Sequence, residues 1–241
     1  MLNYKKLFAG VLLTSAASFA YADSDNEIWI EQSGTTLTLT IDQVGYGNKI
    51  GGNDFSSTAS DMVITGTTLT IDIDQIGNSN KLYGPITLDT STIDLFFTGD
   101  SNVVDWNIGY VGSADNADID MTVTGDSNTW DFDLGYDASA ESLDYDLTVV
   151  GDSNVFTTKI DSDTATWDWD VTGDSNDINT NQSDGADHTL TVDFIGSNAD
   201  IDIVQSSGSC PTGISGCYGY IDLDITSDNA TITINQTDTS D

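Results

Sequence analysis

The stretch Ile119-Asp-Met-Thr-Val-Thr-Gly125-Asp-Ser-Asn128-Thr-Trp-Asp-Phe-Asp-Leu134 alternates apolar and polar residues on both sides of a short break. A period of two marks a β-strand with one buried face, and a glycine followed by small polar residues marks a turn. The same break recurs at Gly45-Tyr-Gly-Asn48, Gly77-Asn-Ser-Asn80, Gly99-Asp-Ser-Asn102, Gly151-Asp-Ser-Asn154 and Gly173-Asp-Ser-Asn176. Degenerate copies stand at Gly196-Ser-Asn-Ala199 and Ser227-Asp-Asn-Ala230. The first positions advance by 32, 22, 26, 26, 22, 23 and 31 residues. The repeating unit is therefore about 22 residues, with insertions of about four to ten.

The alternation assigns an inward set to each flank. Before the corner it comprises, for example, Leu69, Ile71, Ile73 and Gln75, or Trp167, Trp169 and Val171; after the corner, Val104, Trp106 and Ile108, or Phe156, Thr158 and Ile160. Val123 and Trp130 are seven residues apart across their corner, and so are Phe97 and Val104, Val149 and Phe156, Val171 and Ile178, Phe194 and Ile201, and Ile225 and Ile232. Two short strands joined this way cannot pair as a hairpin and also turn their apolar faces toward each other. They can face each other as an arc. Stacked arcs then pair each strand with its equivalent in the next rung, about 4.8 Å away. The expectation is an all-β fold, a parallel β-solenoid of strand-turn-strand arcs with roughly eight rungs. An antiparallel sandwich or barrel also has short alternating strands, but does not require equal rungs. At the corners, the leading glycines Gly45, Gly77, Gly99, Gly125, Gly151 and Gly173 supply unusual backbone angles. The closing asparagines Asn48, Asn80, Asn102, Asn128, Asn154 and Asn176 adopt left-handed geometry or bond their neighbours as a ladder.

Residues 1–22 read as a secretory signal peptide: Lys5 and Lys6 precede the apolar run Leu7 to Ala20, and Ala20-Tyr-Ala22 forms the cleavage site. The expected mature chain, residues 23–241, is then a single repeat domain, exported to the cell surface or the medium without membrane insertion. The full chain has 40 acidic and 5 basic residues and a net charge of −35. Of the cations only Lys49, Lys81 and Lys159 remain after cleavage. Such a charge argues against nucleic acid and anionic lipid as partners and implies cation-rich surroundings. Regular alternation of aspartate with Ile, Val, Leu, Phe and Trp argues equally against disorder. Cys210 and Cys217 are the only cysteines, and an oxidising compartment favours a small loop disulfide between them.

Two segments carry a resemblance to a known family. Leu37-Thr-Leu-Thr-Ile-Asp-Gln43-Val-Gly45-Tyr-Gly-Asn48 and Leu69-Thr-Ile-Asp-Ile-Asp-Gln75-Ile-Gly77-Asn-Ser-Asn80 resemble the curlin repeat, Ser-x5-Gln-x-Gly-x-x-Asn-x5-Gln, with Leu37 and Leu69 at the serine position. Asn26 to Gln32 and Asn176 to Gln182 resemble its second half. Curlins are subunits of curli, the extracellular amyloid fibres of bacterial biofilms. The resemblance implies a secreted fibre subunit or nucleator, acting in cell adhesion, whose partners are further copies or related subunits and a cell surface or matrix. Glutamine ladders carry subunit addition in that family. Here Gln32, Gln43 and Gln75 lie toward one end and Gln182, Gln205 and Gln236 toward the other, while Phe97, Val123, Val149 and Val171 take the glutamine position between them.

The outward phase carries aspartates, among them Asp72, Asp74, Asp120, Asp144, Asp146, Asp168 and Asp170, and threonines such as Thr38, Thr40 and Thr70. Stacked carboxylates about 5 Å apart repel by about 0.8 kcal/mol in water before screening. Ca²⁺ bridging between rungs is one relief, and an acidic module that binds Ca²⁺ or carbohydrate without polymerising is the alternative reading. No cofactor is expected, and no calcium-loop or zinc motif names a ligand. Catalysis finds no footing: His188, the only histidine, lies in Ser183-Asp-Gly-Ala-Asp-His188, where a solvated loop side chain is expected rather than a general base. Trp106, Trp130, Trp167 and Trp169 take the inward phase, and Trp29 the outward phase.

Overall fold

The computed structural model describes residues 27–28, 30–51, 63–88, 90–108, 116–134, 142–161, 164–183, 188–207 and 219–238. The expected signal peptide, Trp29, Cys210 and Cys217 lie outside the described residues. The strands at the N-terminal end are β1 (Glu27–Ile28), β2 (Glu31–Ser33), β3 (Thr36–Val44), β4 (Lys49–Ile50), β5 (Val63–Thr65), β6 (Thr68–Ile76) and β7 (Lys81–Thr87). The middle is built from β8 (Ser91–Thr98), β9 (Val103–Ile108), β10 (Ala117–Thr124), β11 (Thr129–Leu134), β12 (Leu143–Val150) and β13 (Val155–Asp161). Then follow β14 (Ala165–Thr172), β15 (Asp177–Ser183), β16 (His188–Ser197), β17 (Asp200–Ser207), β18 (Tyr220–Asp228) and β19 (Thr231–Asp238).

Two sheets result. One, of eight strands, runs β3-β6-β8-β10-β12-β14-β16-β18; the other, of eleven, follows the path β1-β4-β7-β9-β11-β13-β15-β17-β19, with β2 beside β5 and β5 beside β7. Each strand before a corner lies in the first sheet and the strand after it lies in the second. Neighbours are parallel and belong to successive repeats: Val123 lies between Phe97 and Val149, and Trp130 between Val104 and Phe156. A sandwich of hairpins is thereby excluded, and the chain is a parallel β-solenoid. Variable spacing falls between the second strand of one arc and the first of the next, as between Ile108 and Ala117, so insertions leave the register untouched.

The core is the strip between the sheets. The inward phase is buried along the solenoid, from Leu69, Ile71 and Ile73 through Trp106, Phe132 and Tyr145 to Ile201 and Ile203. All four tryptophans assigned inward are buried. Removal of each large apolar side chain from water contributes about 1.5–3 kcal/mol. Aromatic contacts tie rung to rung in the middle, where Trp130 stacks on Phe156 at 5.2 Å and Phe132 on Tyr145 at 5.8 Å, while Trp167 and Trp169 stack on each other within β14 at 5.7 Å. Such pairs add about 0.5–1.5 kcal/mol beyond their area.

Two expectations need correction. His188 is not a solvated loop residue: it begins β16, pairs in register with Ala165 and is fully buried. The polar residues before it hid where the strand starts. Nor does the regular stack reach roughly eight rungs, because the intact corner extends over only five steps, from Asn48 to Asn176. Beyond it Ala199 and Ala230 replace the asparagine, and at the other end β1 and β2 form only a leading arm.

Candidate functional site

The corner is a stacked turn rather than a loop. Gly125 has φ +140° and Ser127 φ 59°, and the other intact corners repeat this pair of values closely. The third residue therefore takes the left-handed conformation, not the asparagine. The degenerate corners agree, because their left-handed residues are Asn198 and Asn229, also in third place. Asparagine tolerates that conformation better than most residues, which compensates where the corner has otherwise decayed.

The closing asparagine makes the ladder instead. The backbone N–H of Asn80 donates to Asn102 Oδ1 at 2.8 Å, that of Asn102 to Asn128 at 2.7 Å, that of Asn128 to Asn154 at 2.9 Å, and that of Asn154 to Asn176 at 2.9 Å. All of these asparagines are buried, so each acceptor satisfies an N–H that has no access to water. A second ladder runs at the exposed second position. The N–H groups of Asp126, Asp152 and Asp174 donate to the carboxylates of Asp100, Asp126 and Asp152 at 2.9, 2.7 and 2.6 Å. This carboxylate ladder was missed in the sequence, although the recurrence of aspartate at that one position was its signal.

The glutamines form two separate ladders in different sheets. Toward the N-terminal end, Gln75 Nε2 donates to Gln43 Oε1 at 2.7 Å in the eight-stranded sheet. Toward the C-terminal end, Gln236 donates to Gln205 and Gln205 to Gln182, each at 2.7 Å, in the other sheet. Gln32 joins neither: it is exposed and its register partner is Ile64. In both ladders the amide N–H points to the lower rung and the amide oxygen accepts from the rung above.

The two ends of the stack differ. At the N-terminal end Leu39 and Ile41 of β3 are buried. At the C-terminal end Ile221, Leu223 and Ile225 of β18 are half-buried, and Ile232 and Ile234 of β19 are 43% and 48% exposed although they keep the inward phase. Among the described residues no strand pairs with β19 on the side away from β17.

On the outer face of the eight-stranded sheet, Asp72, Asp94, Asp120, Asp146 and Asp168 stand in one column on successive strands. Partial burial raises the carboxyls of Asp94, Asp144 and Asp146 above the ordinary value, and neighbouring aspartates push them further. Asp105 and Asp131 of the other sheet are raised for the same two reasons, with Lys159 acting in the opposite direction. Lys159 forms an ion pair with Asp133 at 3.1 Å. Among the described residues no group of three or more His, Cys, Asp or Glu side chains is placed to hold a metal ion. Compared with known protein families, curated proteins and solved structures, the chain matches none.

Proposed function

We propose that the chain is a secreted structural protein, a curlin-like subunit or nucleator of an extracellular amyloid-type fibre that serves cell adhesion and biofilm formation, and not an enzyme. The observation that carries this reading is the open C-terminal level. There Ile232, Ile234 and Gln236 continue columns of the core yet lie uncovered. A strand edge with free N–H and C=O groups above an apolar strip is a template for another strand. Stacks of parallel, in-register strands perpendicular to one axis are also the arrangement of cross-β fibres.

The net charge of −35 opposes association of copies, so screening or protonation should promote it. The test is incubation of residues 23–241 at low and high salt, with and without Ca²⁺, followed by electron microscopy and fibre diffraction. Fibres with a reflection near 4.8 Å that grow faster with salt or acid are expected. Protein that stays monomeric in every condition refutes the reading. The carboxylate column from Asp72 to Asp168 supports a second reading, an acidic surface module that binds Ca²⁺ without polymerising. Saturable calorimetric heat with Ca²⁺ in protein that remains monomeric would favour it.

A further inference from the structure

The side-chain ladder at the second corner position stops one place short of the N-terminal end. Backbone N–H groups there donate to the side chain in the preceding corner at Ser197, Asp174, Asp152, Asp126 and Asp100, the last to Asn78 Oδ1 at 3.2 Å. The next N–H of the series belongs to Asn78. The preceding corner is stacked on it through the bond from Gly47 N–H to Asn78 O at 2.8 Å, but carries Tyr46, a ring in place of the carboxylate. Among the described residues Asn78 N–H has no acceptor. Lys49 and Lys81 follow these same two corners, and they are register partners about 4.8 Å apart along the stack. Like charges at that spacing repel, and Lys81 has no ion pair among the described residues. Glu27 is the other register partner of Lys49. Tyr46 is 73% exposed, and Val44 is 68% exposed. In a chain of net charge −35, the first two corners thus gather a free backbone N–H, the Asn78 amide, two ammonium groups and an open aromatic ring.

We infer that these two corners form a binding site for an acidic sugar, a uronate, whose carboxylate takes the vacant place in the ladder at Asn78 N–H between Lys49 and Lys81 while its ring lies on Tyr46. The ladder itself sets the charged group, because the later corners put a carboxylate at the equivalent place, as Asp100 does for Asp126 N–H. Asn78 Oδ1 is engaged by Asp100 N–H, which leaves the Nδ2 hydrogens as donors to a ring hydroxyl. Tyr46 sets the body of the ligand: an amphipathic ring suits a partner with an apolar face and a polar rim. The charge of the chain sets the number of carboxylates. Asp42 and Asp74 are register partners in the eight-stranded sheet on the other side of these corners, and further aspartates follow on later rungs. A densely charged polyanion would meet all of them, whereas a single carboxylate meets mainly the two lysines, since exposed charges farther than about 8 Å are screened at physiological salt. The site does not depend on whether copies of the chain associate.

Amide NMR of the labelled protein, titrated with galacturonate, galactose and acetate, tests this. The Asn78 N–H resonance should move saturably with galacturonate, less with acetate and not with galactose. Tyr46→Asp places a carboxylate where the later corners have one, so it should fill the ladder and abolish the response. Lys49→Gln combined with Lys81→Gln should weaken binding about tenfold, the worth of a charged hydrogen bond. Lys159→Gln, in the middle of the stack, should leave it unchanged. Tyr46→Ala should bring galacturonate down to the level of acetate. The remaining amide signals report that each variant is folded. Retention on immobilised polygalacturonate assigns the uronate to a polymer and binding of the free acid alone to a soluble sugar, and both uphold the site. No saturable movement of Asn78 N–H with galacturonate overturns the inference, as does a response that survives Tyr46→Asp. Equal responses to acetate and galacturonate in the unmodified protein would overturn the assignment to a sugar.

Discussion

Replacement of Gly125 by alanine measures how tightly the corners are stacked. A Cβ built on Gly125 would lie 2.2 Å from the carbonyl oxygen of Gly99 and 2.6 Å from its carbonyl carbon. Both atoms belong to backbone, so the rung must move by about 1 Å to reach an ordinary contact. That movement strains the hydrogen bonds crossing the corner, Gly99 N–H to Thr124 at 2.8 Å and Asp126 N–H to Asp100 at 2.9 Å. Loss of two such bonds costs about 1–3 kcal/mol. The φ of +140° adds about 1–3 kcal/mol for a residue with a side chain. The expected destabilisation is thus roughly 2–6 kcal/mol, the sum of those two contributions. The first corner offers an internal control. At Gly45, with φ +150°, the nearest atom to an added Cβ is Asn48 Oδ1 at 3.5 Å, so Gly45→Ala should show only the backbone cost. Urea unfolding of the monomer, with midpoints compared at constant slope, reads both variants. Equal losses at Gly45 and Gly125, or a loss below about 1 kcal/mol at Gly125, would refute the stacking argument.

Asn154→Ala removes the acceptor of the buried Asn128 N–H and should cost about 1–3 kcal/mol in the same unfolding assay, whereas Asp152→Ala, at the exposed position, should cost less. Trp169→Ala empties a buried site stacked on Trp167 and should cost about 3–5 kcal/mol, with loss of the near-ultraviolet signal of the pair. Acidification should stabilise the monomer. The carboxyls of Asp94, Asp144 and Asp146 are raised mainly by burial and then by neighbouring aspartates, Asp120 among them in each case, so the folded chain binds protons more tightly than the unfolded one. Stability then falls as pH rises through the region just above 3.8 and returns as pH drops back through it. Calorimetry at low salt should find Tm rising as pH is lowered toward that value, and a falling Tm would contradict the sign.

The solenoid was legible because two independent periods agree. Alternation assigned Trp106 and Trp167 to the interior, and the seven-residue step across the corner placed Val123 and Trp130 on facing sheets, as the structure has them. What stayed hidden depends on which residue stands one rung away. Spacing alone suggests that Gln32 belongs with Gln43 and Gln75, but it lies in the other sheet, where its register partner is Ile64. Serine and asparagine both tolerate turns, so composition did not distinguish the left-handed Ser127 from the ladder residue Asn128. His188 was misplaced because a polar run does not reveal at which residue extended pairing resumes.

The uneven width of the strand pairings sets how the molecule yields under tension. Hydrogen bonds between strands lie along the stacking axis, so a pull along that axis loads successive levels in series. β10 and β12 are aligned from Asp118 to Thr124 and β3 and β6 from Thr36 to Val44, but β1 holds β4 only through Glu27 and Ile28, and β2 holds β5 only from Glu31 to Ser33. The leading arm is thus the soft element of the spring. It peels first and spares the arcs behind it, so the wide pairings of the middle carry the load last.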